Sequence, residues 1–208
     1  TVLPDIFNNS YVGIIISVGL YAIGGGLLEV LVSPIVEACP TENKQSVMSL
    51  LHSFYCWGHV AVVGISTIFF AVFGITEWRW VAGLWILVSL INGFMFLFVP
   101  IYGLVDEKDE GIPLSGLLKS KMFWILMLMM FAAGSSELSV SQWSSAFAEA
   151  GLRVNKSVGD LAGPMFFAVM MGISRVLYSR IADKINLEKM MIYMAGLCVI
   201  SYLIISLL

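Results

Sequence analysis

Two glutamates stand inside long apolar runs of this sequence, where charged groups are costly. Glu29 follows three consecutive glycines and is the only charged residue between positions 11 and 36, and Glu137 lies within another apolar run. A carboxylate at the centre of a membrane helix costs about 2.5–3.5 kcal/mol on insertion scales, so such a group usually serves proton or ion movement. The alternative for Glu29 is a structural hydrogen bond to a neighbouring helix.

Three side chains that can exchange protons or form hydrogen bonds lie on one face of the run 47–74. His52, Tyr55 and His59 are spaced three and four residues apart, which places them on the same side of a helix. An imidazole titrates near neutral pH and can also hydrogen-bond a solute hydroxyl. The alternatives are a hydrogen bond to another helix for each histidine and ordinary packing for Tyr55. A shared metal is disfavoured, because seven residues separate the histidines by about 10 Å along a helix.

The run that contains Glu137 presents a small, polar face. Glu137, Ser141 and Ser144 recur at helical spacing, and Gln142 and Trp143 lie beside them. An indole ring offers an apolar surface together with an N–H donor. This pattern predicts either the lining of a solute cavity or serine-mediated packing between helices, with Glu137 near enough to the membrane interface to stay hydrated.

The composition excludes several classes of protein. Of the 208 residues, 59% are hydrophobic and 12% are charged, whereas charged residues make up about 25% of soluble domains. The continuous apolar runs do not show the alternating pattern of a membrane β-barrel, and no basic patch with interleaved aromatics indicates nucleic acid. The motifs HExxH and GxSxG are absent, so we expect no enzyme. The three cysteines lack metal-site spacing.

Six apolar runs predict an all-α integral membrane protein, because a helix needs about 20 such residues to cross the hydrocarbon core. The runs cover about 11–36, 47–74, 80–101, 122–148, 160–181 and 188–208. The charged segment 105–121 divides them into two groups of three. We therefore expect helical units over 1–104 and 122–208, joined by a linker over 105–121.

Lysines and arginines are distributed unequally between the loops. The loops after the first, third and fifth runs carry seven of them, and the loops on the opposite side carry three. By the positive-inside rule, the amino end lies outside and the loop 102–121 is cytoplasmic. Two local predictions accompany this topology: Arg175 extends toward the cytoplasmic boundary of the membrane, and Ser157 with Asp160 caps the start of the fifth helix.

Four stretches, taken in order, resemble the major facilitator superfamily and specifically its fucose–proton symporter-like branch of sugar transporters. The glycine-rich stretch 24–34 is similar to the fourth helix of that branch, 51–58 to its fifth helix and 134–143 to its seventh. The stretch 180–184 resembles the signature loop of the superfamily. The resemblance implies a partial major facilitator fold that comprises helices four to nine of twelve, three from each half.

The sequence departs from that branch at several positions. Ser33 stands where the branch usually has asparagine, and Ser179 and Asn186 occupy the glycine positions of the signature loop. His52 and Tyr55 stand where characterised sugar symporters tend to carry amides. The departures in the signature loop bear on its tight turns, and those at His52 and Tyr55 bear on the identity of the cargo rather than on transport as a class.

The resemblance implies a secondary active transporter that takes up a sugar or a similar small polar solute, coupled to protons, by alternating access. Glu29 is then the proton-coupling residue. The residues expected to contact the solute are His52, Tyr55, Glu137, Gln142 and Trp143. The residues of the signature loop expected to control conformational gating are Arg180, Asp183 and Lys184.

The same resemblance implies a setting and leaves alternatives open. It places the protein in the plasma membrane of a bacterium, in contact with lipid, a small solute and the remaining helices of a transporter that is monomeric when complete. Residues 1–208 alone are expected not to transport. No cofactor is expected, and the proton is the coupling ion. The alternatives are a proton-driven exporter of lipophilic compounds and a non-transporting membrane scaffold.

Overall fold

The computed structural model describes residues 10–101 and 113–207. Every long element in these residues is a helix. The eight α-helices in this part of the chain are α1 Ser10–Ala38, α2 Lys44–Phe73, α3 Trp78–Phe96, α4 Leu114–Lys119, α5 Lys121–Leu152, α6 Lys156–Asp160, α7 Phe166–Ile181 and α8 Leu187–Leu207. Short 3₁₀ turns cover Ile75–Glu77 and Ala182–Lys184, and a π-helical turn, Leu161–Met165, joins α6 to α7.

Six of the described helical segments are long and apolar enough to cross a membrane. The predicted all-α membrane fold with six spans is therefore confirmed. The fifth span combines α6, the π-helical turn and α7 into one segment, Lys156–Ile181. The helix ends differ from the predicted ones by a few residues: α3 stops at Phe96, before the predicted position 101, because the residue preceding Pro100 disfavours helical dihedrals.

The most extensive helix–helix contact in the described chain joins α2 to α7. At one end of this contact, the Ser46 hydroxyl donates to the Ser179 carbonyl at 2.5 Å, and the Ser49 hydroxyl donates to the Arg175 carbonyl at 2.8 Å. Residues early in α2 therefore meet residues late in α7, and the two helices run antiparallel. We call this contact the α2–α7 seam.

Small residues allow the two helices of the seam to approach closely. A Cβ added to Gly172 of α7 would lie 3.3 Å from the Cβ of Cys56 and 3.2 Å from the Trp57 ring. Ser53 and Cys56, at 1% and 0% exposed, are the largest fully buried side chains of the described chain. In a bilayer, helix association depends on such close packing and on interhelical hydrogen bonds, since lipid is as apolar as leucine.

A second compact region joins α5 to α6 and the π-helical turn. The Ser145 hydroxyl, which is buried, donates to the Asp160 carboxylate at 2.5 Å. Pro164 lies inside the turn and has no N–H to give, which accounts for the wider helical hydrogen bonding there. The predicted cap at Ser157 is wrong: the cap of α6 is Asn155, whose side chain accepts from the Val158 amide at 2.9 Å.

The remaining long helices surround these two regions more loosely. α1, α3 and α8 leave most of their large apolar side chains exposed, which suits contact with lipid. One polar contact attaches α8 to α5, in which the Tyr202 hydroxyl donates to the Ser136 carbonyl at 2.7 Å. Of the predicted linker, residues 105–112 lie outside the described part, and the residues after them form α4 and the start of α5.

Candidate functional site

Glu29 lies in the second half of α1. The half-buried residues Gly25 and Val32 lie one turn before and one turn after it, which places all three on one face of the helix. The Glu29 side chain itself is exposed, because α1 packs only lightly against the rest of the chain. Its carboxylate is therefore not enclosed by other side chains of the described chain.

Tyr55 of α2 lies within electrostatic range of both glutamates that the sequence singles out. The carboxylates of Glu29 and Glu137 both lie close enough to the Tyr55 hydroxyl to act on it electrostatically. The tyrosine is 58% exposed, so its ring borders open space instead of filling a core. Glu29 of α1 and Glu137 of α5 thus both lie within electrostatic range of Tyr55 of α2, and we call these three residues the carboxylate–tyrosine cluster.

The two histidines accompany this cluster on α2 and are both half-buried. The carbonyl of His52 accepts from the Cys56 thiol one turn later, at 3.4 Å. Within the described residues, neither imidazole forms a hydrogen bond to a second helix. His52 lies three residues from Tyr55 and hence next to it on the helix surface.

On α5, the two other predicted site residues, Gln142 and Trp143, lie on a different side of the helix from its buried inner face. Ser141 and Ser145 are buried and follow Glu137 at intervals of four residues. Gln142 and Trp143 are exposed, and their helical positions are about 140° and 120° away from that of Glu137. The structure therefore brings Glu137, but neither Gln142 nor Trp143, to the cluster.

Arg175 lies in the α2–α7 seam, and the prediction that it extends toward the membrane boundary is wrong. Its Nε atom is buried and has no hydrogen-bond partner. The guanidinium lies beside the Cys56 thiol, two turns deeper along α2 than Ser49, which contacts the Arg175 carbonyl. Helical side chains point toward the N-terminus of their helix, which for Arg175 is away from the nearby end at Ile181.

The carboxylate of Glu137 also acts electrostatically on the Cys56 thiol. Arg175 and Glu137 therefore both lie within electrostatic range of Cys56 on α2. Sequence reasoning missed this connection. The signal available was a basic residue six positions inside an apolar span, which in a membrane indicates a functional group by default.

The sequence profile of the Major Facilitator Superfamily matches residues 2–208. The chain belongs to this superfamily. Neither the curated proteins nor the solved structures contain a match to the chain. Members of the superfamily are secondary transporters rather than enzymes, so the protein is an integral membrane transporter that binds a small solute and sits in a lipid bilayer.

The gating residues predicted for this superfamily member lie at the end of α7. Arg180 and Lys184 are exposed, and the Asp183 side chain lies outside the described ones. The Ser46–Ser179 hydrogen bond joins the start of α2 to the residue that directly precedes Arg180. Movement of this loop is therefore mechanically linked to the end of the α2–α7 seam.

A transporter can use the cluster for two kinds of chemistry. Carboxylates and phenol hydroxyls accept and donate hydrogen bonds to hydroxylated solutes. A carboxylate that opens alternately to the two sides of a membrane can also take up a proton on one side and release it on the other. For the described residues, no group of three histidine, cysteine or acidic side chains is arranged to hold a metal ion.

Proposed function

We propose that this transporter takes up a sugar or a similar small polar solute together with protons, as in the fucose–proton symporter-like branch. The observation that supports the proposal is that Glu29 and Glu137, on two different helices, both lie within electrostatic range of Tyr55 on a third. Two carboxylates and a phenol in one region of an otherwise apolar bundle supply both a proton carrier and hydrogen-bonding groups for hydroxyls.

In this proposal Glu29 carries the proton. The solute binds more tightly when Glu29 is protonated, and by linkage the proton binds more tightly when the solute is present. That reciprocity allows an inward proton gradient to drive uptake against a solute gradient. Because the Glu29 side chain is exposed, a change of access can connect it to either side of the membrane.

Tyr55, Glu137 and the neighbouring His52 form the centre of the proposed solute site. Their hydroxyl, carboxylate and imidazole groups can each hydrogen-bond a sugar hydroxyl. Gln142 and Trp143 face away from the cluster, so we place them at the margin of the site, where the indole can stack on an apolar solute face.

The α2–α7 seam is the proposed contact between two units of three helices, one within 1–104 and one within 122–208. Alternating access requires such units to rock against one another. In the proposed orientation the amino end lies outside a bacterial plasma membrane and the loop 102–121 is cytoplasmic. The Ser46–Ser179 end of the seam and the residues Arg180, Asp183 and Lys184 then form the inner gate, and the complete transporter works as a monomer together with its remaining helices.

A proton-driven exporter of lipophilic compounds is the second candidate. Three exposed aromatic residues of α2, namely Phe54, Tyr55 and Trp57, favour it, because aromatic walls suit apolar cargo. The two glutamates favour the sugar symporter, since an apolar cargo gains nothing from hydrogen bonds to carboxylates.

Uptake of a panel of labelled sugars into membrane vesicles that contain the transporter tests the proposal. We expect one sugar or sugar derivative to accumulate only when an inward proton gradient is imposed, and a protonophore to abolish the accumulation. Vesicles without the transporter are the control. Accumulation that ignores the proton gradient would contradict symport, and gradient-driven efflux of a lipophilic dye would favour the exporter.

A further inference from the structure

Two serine hydroxyls of α2 bond to the backbone of α7 instead of to their own helix. The Ser46 hydroxyl donates to the Ser179 carbonyl at 2.5 Å, and the Ser49 hydroxyl donates to the Arg175 carbonyl at 2.8 Å. A serine inside a helix commonly donates to the carbonyl one turn before it. Four serines of other long helices in the described chain do so: Ser17, Ser89, Ser139 and Ser201. The two hydroxyls that cross the seam therefore depart from the usual bonding of serine in this protein.

The Ser46 bond joins the beginning of one helix to the end of another. Asn43 caps α2, and its side chain accepts from the Ser46 amide at 3.0 Å, which fixes the first turn of the helix. The carbonyl one turn before Ser46 belongs to the preceding loop, because α2 begins at Lys44. Ser179 lies within the last four residues of α7, where an α-helix leaves its carbonyls without an internal partner. The hydroxyl of Ser46 therefore satisfies a carbonyl that the end of α7 exposes.

Ser49 has an acceptor on each side of the seam. Across the seam it uses the Arg175 carbonyl, and the Gln45 carbonyl lies one turn before it in its own helix. If α2 and α7 separate, rotation of the Ser49 side chain returns the hydroxyl to its own helix, so no polar group is left without a partner. A bond that can be exchanged in this way can close and open many times, as a gate in a transporter must.

The contact between α2 and the fifth span differs in kind along its length. Next to the two serine bonds, the fully buried Cys56 packs against Gly172. Further along α2, a Cβ added to Gly64 would lie 3.9 Å from the Cε of Met165, which is an ordinary contact with the tip of a flexible side chain. Directional hydrogen bonds thus hold the end at Ser46, whereas an adaptable methionine contacts α2 toward the other end.

We propose that Ser46 and Ser49 form a latch that holds this end of the α2–α7 seam closed, and that its release opens the seam as far as Cys56. The inference rests on the proposed function, which places the inner gate at this end, and it names the side chains that keep the gate shut. Each hydrogen bond between membrane helices favours the closed state about threefold on average. Two such bonds bias the equilibrium toward closure and still allow the transporter to open in every cycle.

The rate at which N-ethylmaleimide alkylates Cys56, in vesicles that contain the complete transporter, measures the opening of the latch. Cys56 is 0% exposed in the closed seam, so it reacts when the seam opens. We expect Ser46→Ala and Ser49→Ala each to raise the rate about threefold, and the double variant to raise it about tenfold. Ser53→Ala is the matched control, because Ser53 is buried in the same seam and donates within its own helix, to the Leu50 carbonyl at 2.6 Å.

The two other cysteines provide a control within the same molecule. Cys39 is half-buried at the end of α1 and Cys198 is exposed on α8, and both lie outside the seam. Mass spectrometry of the separate peptides gives one alkylation rate for each cysteine. We expect the serine variants to change the rate at Cys56 and to leave the rates at Cys39 and Cys198 as in the wild type.

Equal alkylation of Cys56 in the wild type and the double variant would overturn the inference. A rise of the same size in Ser53→Ala, or at Cys39, would also overturn it, since the cause would then be lost packing. If the double variant does not reach the membrane, the single variants decide, and an unchanged rate in both refutes the latch. The labelling uses neither solute nor gradient, so its failure leaves the proposed sugar uptake intact, and failure of the sugar panel leaves the latch intact.

Discussion

Tyr55 is the residue of the proposed site that lies within electrostatic range of both glutamates. Its hydroxyl lies within the electrostatic reach of Glu29 on α1 and Glu137 on α5, while its backbone belongs to α2. A phenol in this position can hydrogen-bond a solute hydroxyl and either carboxylate. In the proposed mechanism it therefore contributes to solute affinity without itself carrying the transported proton.

Replacing Tyr55 by phenylalanine removes that hydroxyl and keeps the ring. We expect the KM for the transported solute to rise about 2- to 10-fold, the range that follows from the loss of one net hydrogen bond, while uptake still depends on the proton gradient. Tyr193→Phe on α8, at another exposed tyrosine, is the control. An unchanged KM in Tyr55→Phe would remove Tyr55 from the site.

Arg175 shows that residue spacing alone does not give the direction in which a side chain points. Its position near the end of an apolar run favoured an extension toward the membrane boundary, and the structure places the side chain the opposite way. The direction follows from the tilt of helical side chains toward the N-terminus of their own helix. Glu29, Tyr55 and Glu137 could be singled out from the sequence, because each is conspicuous within its own span, but the shared neighbourhood could not.

At the scale of elements, the α2–α7 seam depends on a glycine. Gly172 faces Cys56 and the Trp57 ring at distances that leave no room for a larger side chain. Cys56 is fully buried against α7, so its Cβ cannot yield without separating the helices. Packing of this kind is disrupted by overfilling as well as by cavities.

Gly172→Leu should therefore destabilise the protein. We expect a loss of about 1–3 kcal/mol in the free energy of unfolding, as for other overpacked sites, and a lower midpoint of thermal unfolding in detergent. The matched variant is Gly196→Leu on α8, where an added Cβ meets no atom within 4 Å. Equal midpoints for the two variants would show that the seam does not depend on close approach at Gly172.

The elements themselves could be predicted well, for a simple reason. A long apolar run has few alternatives to a membrane-spanning helix, since every backbone polar group must be satisfied within the segment. The π-helical turn at Leu161–Met165 was not predicted, because its hydrogen bonding depends on how Pro164 and its neighbours pack on α5. The cap of α6 was misassigned to Ser157, since Asn155 and Ser157 are both good capping residues and spacing does not separate them.

At the scale of the whole molecule, the pairing of helices lay beyond sequence reasoning. The Ser46–Ser179 hydrogen bond joins residues 133 positions apart, and nothing local to either serine indicates the other. The order of the motifs was enough to indicate the superfamily, which the profile match over residues 2–208 confirms. Uptake of a sugar and coupling to protons stay predictions, because both belong to the transport cycle as a whole.

Proton-coupled uphill uptake and gradient-free exchange of solute are two modes of transport that depend differently on a proton carrier. In the proposed mechanism, uphill uptake requires Glu29 to load and release a proton in each cycle, whereas exchange of solute across the membrane without a gradient can proceed with a fixed neutral side chain. Glutamine mimics the protonated carboxyl group in size and polarity. Glu29→Gln should therefore separate the two modes.

The most direct measurement compares wild type, Glu29→Gln and Glu37→Gln in vesicles, with gradient-driven uptake and gradient-free exchange of the transported solute measured for each. Glu37, exposed two turns further along α1, is the control. We predict that Glu29→Gln loses gradient-driven accumulation and keeps exchange, while Glu37→Gln keeps both. Gradient-driven accumulation in Glu29→Gln equal to that of the wild type would contradict the role of Glu29 as the proton carrier.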